Sequence, residues 1–212
     1  MSTACITDGP EKYGINEIFY SLQGEGYYTG TPAIFIRFSG CNLRCPFCDT
    51  SHQSGRMMTV SDILSGISAY PSRHVVLTGG EPSLYITHAL VDALHLQGRY
   101  VAVETNGTHP LPGNVDWITC SPKFGFGDMD GRPEEVSDTA VCLTRCNELK
   151  VVYTGQDMSV YDGIEADHHF LQPCDTGDRD RNISLLGRAI EFCKTHPSWR
   201  LSLQTHKLTG IR

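Results

Sequence analysis

The sequence predicts an α/β protein: a partial, open (β/α) barrel of about six core strands with an N-terminal β-hairpin, built as one domain over residues 1–212. Three observations predict it. Short β-rich runs alternate with helical ones, the signature of βαβ units around a parallel sheet. The chain has 212 residues, fewer than the roughly 250 typical of a closed (β/α)8 barrel. Residues 121–146 also hold little helical pattern, so at least one crossover lacks a helix.

Residues 16–28 are expected to form the hairpin, turning at Gln-Gly-Glu-Gly (23–26). Residues 33–38 (Ala-Ile-Phe-Ile-Arg-Phe) read as the first core strand. In 59–70, Val60, Ile63, Leu64 and Ile67 fall at helical spacing. A buried strand follows at 74–78, then a helix over 83–97 ended by Gly98. Further strands are expected at 100–104, 115–119, 148–153 and 168–172. Asn182 is expected to cap a helix carrying Ile183, Leu186, Ile190 and Phe192, and 199–204 is the last strand.

The formal net charge is -7, with no run of Lys or Arg. Such a surface offers no electrostatic footprint for nucleic acid, so a direct role on tRNA or DNA is disfavoured. The first residues lack the basic and apolar regions of a secretory signal, and no apolar run approaches membrane-spanning length. A cytoplasmic protein with no membrane partner is expected. Three of the nine cysteines crowd into residues 41–48. In a reducing compartment that clustering argues for metal rather than disulfides.

Several polar residues obey one rule. Arg37, Thr78, Glu104, Ser121, Gln172 and Gln204 each close a predicted strand or sit just beyond it. Ligands of parallel β/α folds bind at the carboxyl ends of the strands, so this placement collects distant residues into one site.

Cys41, Cys45 and Cys48 have C-x3-C-x2-C spacing and directly follow a strand. Thiolates are the usual ligands of iron–sulfur clusters, one per iron in a four-iron cube. Three thiolates leave one iron open to a further ligand, as in catalytic zinc sites with an open position. Two other readings stand beside this: three free core cysteines, or a structural zinc site completed by His52. Cys142 and Cys146 share the C-x3-C spacing without a third partner nearby. With Cys5, Cys120, Cys174 and Cys193 they read as ordinary thiols.

The cysteine spacing after the first strand resembles the radical S-adenosylmethionine (SAM) superfamily. Thr-Gly-Gly-Glu-Pro (78–82) and Glu-Thr-Asn-Gly (104–107) resemble that superfamily's motifs after the second and third strands. Within it, the chain is similar along essentially its whole length to the 7-carboxy-7-deazaguanine synthase family. The resemblance runs through 19–26, 35–41, 48–50, 121–123, 171–173 and 204–206.

The resemblance implies a set of roles. Cys41, Cys45 and Cys48 would hold a 4Fe–4S cluster whose open iron is chelated by SAM. Phe47, Gly80, Glu104, Ser121, Pro122 and Lys123, with Gln172, Pro173, Cys174 and Asp175, would bind SAM. Gly79 and Gly80, lacking Cβ atoms, would let the backbone approach its methionine moiety. The implied substrate is 6-carboxy-5,6,7,8-tetrahydropterin, converted to 7-carboxy-7-deazaguanine with loss of ammonia. Leu22, Gln23, Gly24, Glu25, Arg37, Thr78 and the C-terminal carboxylate of Arg212 would contact it. Thr50 would bind Mg2+. An electron donor such as flavodoxin or ferredoxin and a homodimeric state are also implied. Two rivals are a glycyl-radical-activating enzyme, with the same cluster but a protein substrate, and a non-catalytic metal-stabilised binding module.

Overall fold

The computed structural model describes residues 12–126 and 140–211, so Cys5 and Arg212 lie outside the described residues. The chain runs β1 (Tyr13–Leu22), β2 (Pro32–Phe38), β3 (Arg56–Met58), α1 (Val60–Ile67), β4 (His74–Gly79), α2 (His88–Leu96) and β5 (Tyr100–Thr105). It continues through β6 (Trp117–Cys120), β7 (Arg145–Tyr153), β8 (Glu165–Pro173), α3 (Arg179–Thr195), β9 (Trp199–Leu201) and α4 (Thr205–Thr209). The strands form one sheet in the order β3-β1-β2-β4-β5-β6-β7-β8-β9. From β2 to β9 every pairing is parallel, while β1 runs antiparallel to both β2 and β3. Among the described residues the sheet does not close, and β3 and β9 are its edges.

Strand alternation decides what faces the cavity. Ile34, Ile36 and Phe38 of β2, Val75 and Leu77 of β4, and Val101 and Val103 of β5 pack in one core with α1 and α2. Their alternates Phe35, Val76, Ala102 and Trp117 form a separate inner layer. Two residues further along the inner face come Arg37, Thr78 and Glu104, because side chains on one face of a strand recur every second residue. On β7, Leu149, Val151 and Tyr153 join the outer core, leaving Glu148 and Lys150 on the inner face.

Four expectations need correction. The hairpin exists, but its second arm is β2 itself. Phe19 pairs with Phe35, and residues 23–31 form the connection. The helix expected over 83–97 is split into a 3-10 turn at Pro82–Leu84 and α2. The break is set by Thr87, which accepts from the Leu90 amide as N-cap and bonds the Tyr13 hydroxyl at 2.7 Å. The cap of α3 is Asp178, which accepts from the Arg181 amide at 2.9 Å. Asn182 lies inside the helix and braces the preceding loop, accepting from Thr176 N and donating to Asp175. Strand β9 ends at Leu201, since Gln204 already leads into α4.

Candidate active site

A cavity of about 1440 Å3 opens at the carboxyl ends of the parallel strands. It brings together Cys41, Cys45, Phe47, Cys48 and Thr50 from the loop after β2, and Gly80 from the loop after β4. Ser121, Lys123 and residues 172–175 also join, with Leu22 at the end of β1 and Gln23, Gly24 and Glu25 from the β1–β2 connection. Arg37, Thr78, Glu104 and Gln204 also line it. Pro122 does not, although both its neighbours do.

The cysteine loop is fastened at its base. Gly40 N donates to His52 O at 2.8 Å and Glu81 N to Gly40 O at 2.9 Å. Asn106 Nδ2 donates to Asn42 Oδ1 at 3.0 Å. Gly40 has φ +86°, and a Cβ on Gly80 would stand 1.9 Å from Gly40 O. The close approach served by Gly80 is therefore to the backbone of the cysteine loop. Glu81 is buried beneath, accepting from Thr105 Oγ1 at 2.6 Å, Asn106 N at 2.7 Å and Ser83 N at 3.0 Å. It staples the β4 and β5 ends together.

The floor of the cavity carries charge. Lys150 Nζ lies 2.6 Å from Glu25 Oε2 and 3.7 Å from Glu104 Oε1. Glu104 also accepts from Gln23 Nε2 at 2.9 Å and Thr78 Oγ1 at 3.1 Å. Burial alone would raise the Glu25 carboxyl, but Lys150 and the Gln204 amide outweigh it and hold it at about 2. Burial likewise opposes the charge on Lys150, yet Glu104, Glu25 and Glu148 keep it above its ordinary value. Glu148, buried behind this group, is pushed up by burial. Lys123 is pushed down by burial, and its Nζ donates to Ser121 O at 2.9 Å.

Sequence reasoning missed Lys150. Its signal was the pair of charges at 148 and 150 alternating with Leu149 and Val151, a charged face on an otherwise apolar strand. Glu104, expected to contact SAM, accepts from Gln23 and Thr78, both expected on the substrate side.

A family model described as the radical SAM superfamily matches residues 35–119. A 7-carboxy-7-deazaguanine synthase of Bacteroides thetaiotaomicron is 54% identical over 198 residues, covering 93% of this chain and 98% of the relative. One of Burkholderia multivorans is 40% identical, covering 94% and 99%. The chain belongs to the 7-carboxy-7-deazaguanine synthase family. The crystal structure of QueE from Escherichia coli agrees, with a TM-score of 0.70 at 34% identity over 91% of this chain and 94% of that one. Membership of this family within the radical SAM superfamily implies a 4Fe–4S cluster and SAM, and sets aside the glycyl-radical and binding-module readings.

The residues fit the cluster. Three cysteine thiols from one loop line one wall of the cavity, and soft sulfur donors suit iron–sulfur chemistry. Among the described residues, no three His, Cys, Asp or Glu side chains converge on a single ion, as a compact zinc site would require. A four-iron cube is larger and takes each thiolate on a different iron. Among the described residues, no helix is long and apolar enough to cross a membrane.

Proposed function

We propose that this protein is the radical SAM lyase that converts 6-carboxy-5,6,7,8-tetrahydropterin to 7-carboxy-7-deazaguanine and ammonia. The observation that carries the reading is the single cavity that gathers the three thiols, the loop after β4 and the charged floor.

Cys41, Cys45 and Cys48 would hold the cluster, one thiolate on each of three irons. When bound, the cluster and SAM would supply the radical chemistry that acts on the substrate. Gly80, Ser121, Pro122, Lys123 and residues 172–175 orient SAM in the cavity. Pro122 acts through the backbone it fixes between two lining residues. Leu22, Gln23, Gly24, Glu25, Thr78 and Glu104 bind the polar heterocycle through its ring edge. Arg37 binds the substrate carboxylate, with Mg2+ at Thr50 beside it.

The working protein is a single-domain cytoplasmic homodimer reduced by a flavodoxin or ferredoxin. The test is anaerobic incubation of the iron-reconstituted protein with SAM, reductant and carboxytetrahydropterin. A product lacking one nitrogen, identified by mass together with released ammonia, is expected. Cleavage of SAM with the pterin recovered intact would overturn the reading.

A further inference from the structure

Helix α4 is built onto the β1–β2 connection. Thr205 donates to Gly24 O from both its amide, at 3.0 Å, and its hydroxyl, at 2.9 Å. Gln204 Nε2 donates to Glu25 Oε1 at 2.9 Å. A Cβ on Gly24 would stand 2.3 Å from His206 Nδ1, so loop and helix are in contact. The next residue, Lys207, extends to the other side of the cavity mouth. Its ammonium lies 3.1 Å from Asp49 Oδ2 and 2.9 Å from Asp175 Oδ2. Asp49 sits between Cys48 and Thr50 in the cysteine loop, and Asp175 follows β8.

The two carboxylates are unequal. Asp175 is held independently, accepting from Asn182 Nδ2 at 2.8 Å and Gly177 N at 3.1 Å. Asp49 meets Thr50 Oγ1, a group of its own loop, at 3.5 Å. The β8 end is thus the anchor and the cysteine loop is the part held. Two carboxylates sharing one ammonium would repel each other once it was removed.

We propose that Lys207 is a positioning residue: a three-way clasp that sets the cysteine loop against the segment after β8 and ties both, through α4, to the substrate-side loop. The inference rests on the reading above that the cluster sits in the first of these segments and SAM contacts the second. SAM must then span the gap that Lys207 sets.

Lys207→Met removes the charge and keeps an unbranched stem, whereas Lys207→Arg restores a cation able to bridge two carboxylates. In metal-free protein, hydrogen exchange at residues 44–52 should quicken about 3–10-fold in Lys207→Met, the range of a partly exposed ion pair, while β4 and β5 stay unchanged. In cluster-loaded protein, the SAM-induced change in the electron paramagnetic resonance of the reduced cluster gives the Kd for SAM. It should rise about 3–10-fold in Lys207→Met and return in Lys207→Arg. The difference should fade in concentrated salt. Asp49→Asn should reproduce the loosened loop, and adding Lys207→Met to it should change exchange little further.

Equal loop exchange in wild type and Lys207→Met removes the clasp. A looser loop with unchanged SAM affinity overturns the positioning role. Wild-type protein that takes up a cluster yet ignores SAM would overturn the proposed function instead, and the metal-free comparison would still judge the clasp.

Discussion

The rim and the floor of the cavity are built on opposite principles. At the rim, Cys41, Cys45 and Cys48 range from half-buried to exposed in a loop fastened at its base by backbone bonds and close-packed glycines. At the floor, Glu25 from the β1–β2 connection, Glu104 from β5, and Glu148 and Lys150 from β7 come from three separate segments, and charge opposes charge in a largely buried setting. A rim that must accept a cluster keeps its donors accessible. A floor that must hold ions out of water has to satisfy each one with a partner. Damage at the rim should therefore erase chemistry and spare the fold, and damage at the floor should reach the fold itself.

The largest expected effect tests the rim. Cys41→Ala, Cys45→Ala or Cys48→Ala should each abolish cluster assembly and SAM cleavage, measured as bound iron after anaerobic reconstitution and as 5′-deoxyadenosine formed. The thermal midpoint of the metal-free protein should hardly move. Cys142→Ala, at an exposed thiol outside the cavity lining, should keep iron and activity. An equal loss of iron in that control would mean the ligand set is wrong.

At the floor, Lys150→Met removes a buried cation from its two partly buried partners, Glu25 and Glu104, and leaves the buried Glu148 without its counter-charge. Breaking a buried pair from one side costs about 3–5 kcal/mol, to be read from denaturant unfolding at pH 7. The sign of the pH dependence follows from Glu25. Its folded value of about 2 lies below its ordinary 4.5, so its contribution is full above 4.5 and fades as the pH falls toward 2. Without Lys150, burial dominates and Glu25 rises, as Glu148 already does. Acidification from pH 8 to 5 should then narrow the gap between variant and wild type. A gap that widened would mean that Lys150 is not what holds Glu25 ionised.

The same contrast explains what could be read before the structure. The rim is local: the spacing 41-45-48 and the paired glycines at 79 and 80 are visible in the sequence because the chemistry is confined to a few consecutive residues. Strand-end polar residues were also legible, since Arg37, Thr78 and Glu104 occupy one register of the inner face and Gln172 lies further along β8 toward its carboxyl end. Lys150 was missed because its partners at 25 and 104 lie 125 and 46 positions away, and only folding brings them together. The split before α2 was missed because Thr87 is fixed by a long-range bond to Tyr13, a tertiary contact that overrides helical periodicity. Gly80 was legible as a site of close approach, but the neighbour it admits, Gly40 O, depends on the fold.

Arg37 joins the two regions. Its Nε donates to Glu17 Oε1 at 2.8 Å, its guanidinium lies 5.7 Å from the centre of the Phe19 ring, and Nη1 reaches Thr50 Oγ1 at 3.3 Å. Only a planar fork makes these contacts from one side chain. Arg37→Lys should weaken binding of carboxytetrahydropterin about tenfold, or about 1.4 kcal/mol, with the Kd for SAM unchanged. Calorimetric titration of each ligand separates the two. Matching losses for both would make Arg37 a support for the loop and not a substrate contact.

The smallest expected effect concerns Thr50, where rim and substrate side touch. Its hydroxyl accepts from Arg37 Nη1 and lies 3.5 Å from Asp49 Oδ1, so the loop offers hard oxygen donors two residues from the soft sulfur of Cys48. Mg2+ prefers oxygen and keeps several waters, so thiolates do not compete for it. A cation here would offset the substrate carboxylate and orient the neighbouring carbon. Valine has nearly the volume of threonine and lacks the oxygen, so Thr50→Val should leave iron content and the fold intact. Initial rates against Mg2+ concentration after chelator treatment should show a half-saturation point about 3–10-fold higher in the variant, the loss of one oxygen among several ligands. A wild-type rate indifferent to Mg2+ would remove the metal from this site. Identical curves for the two proteins would move the ligand to another oxygen. Asp49 is the nearest alternative, although its other carboxylate oxygen already faces Lys207, so recruiting it would require the loop to turn away from α4.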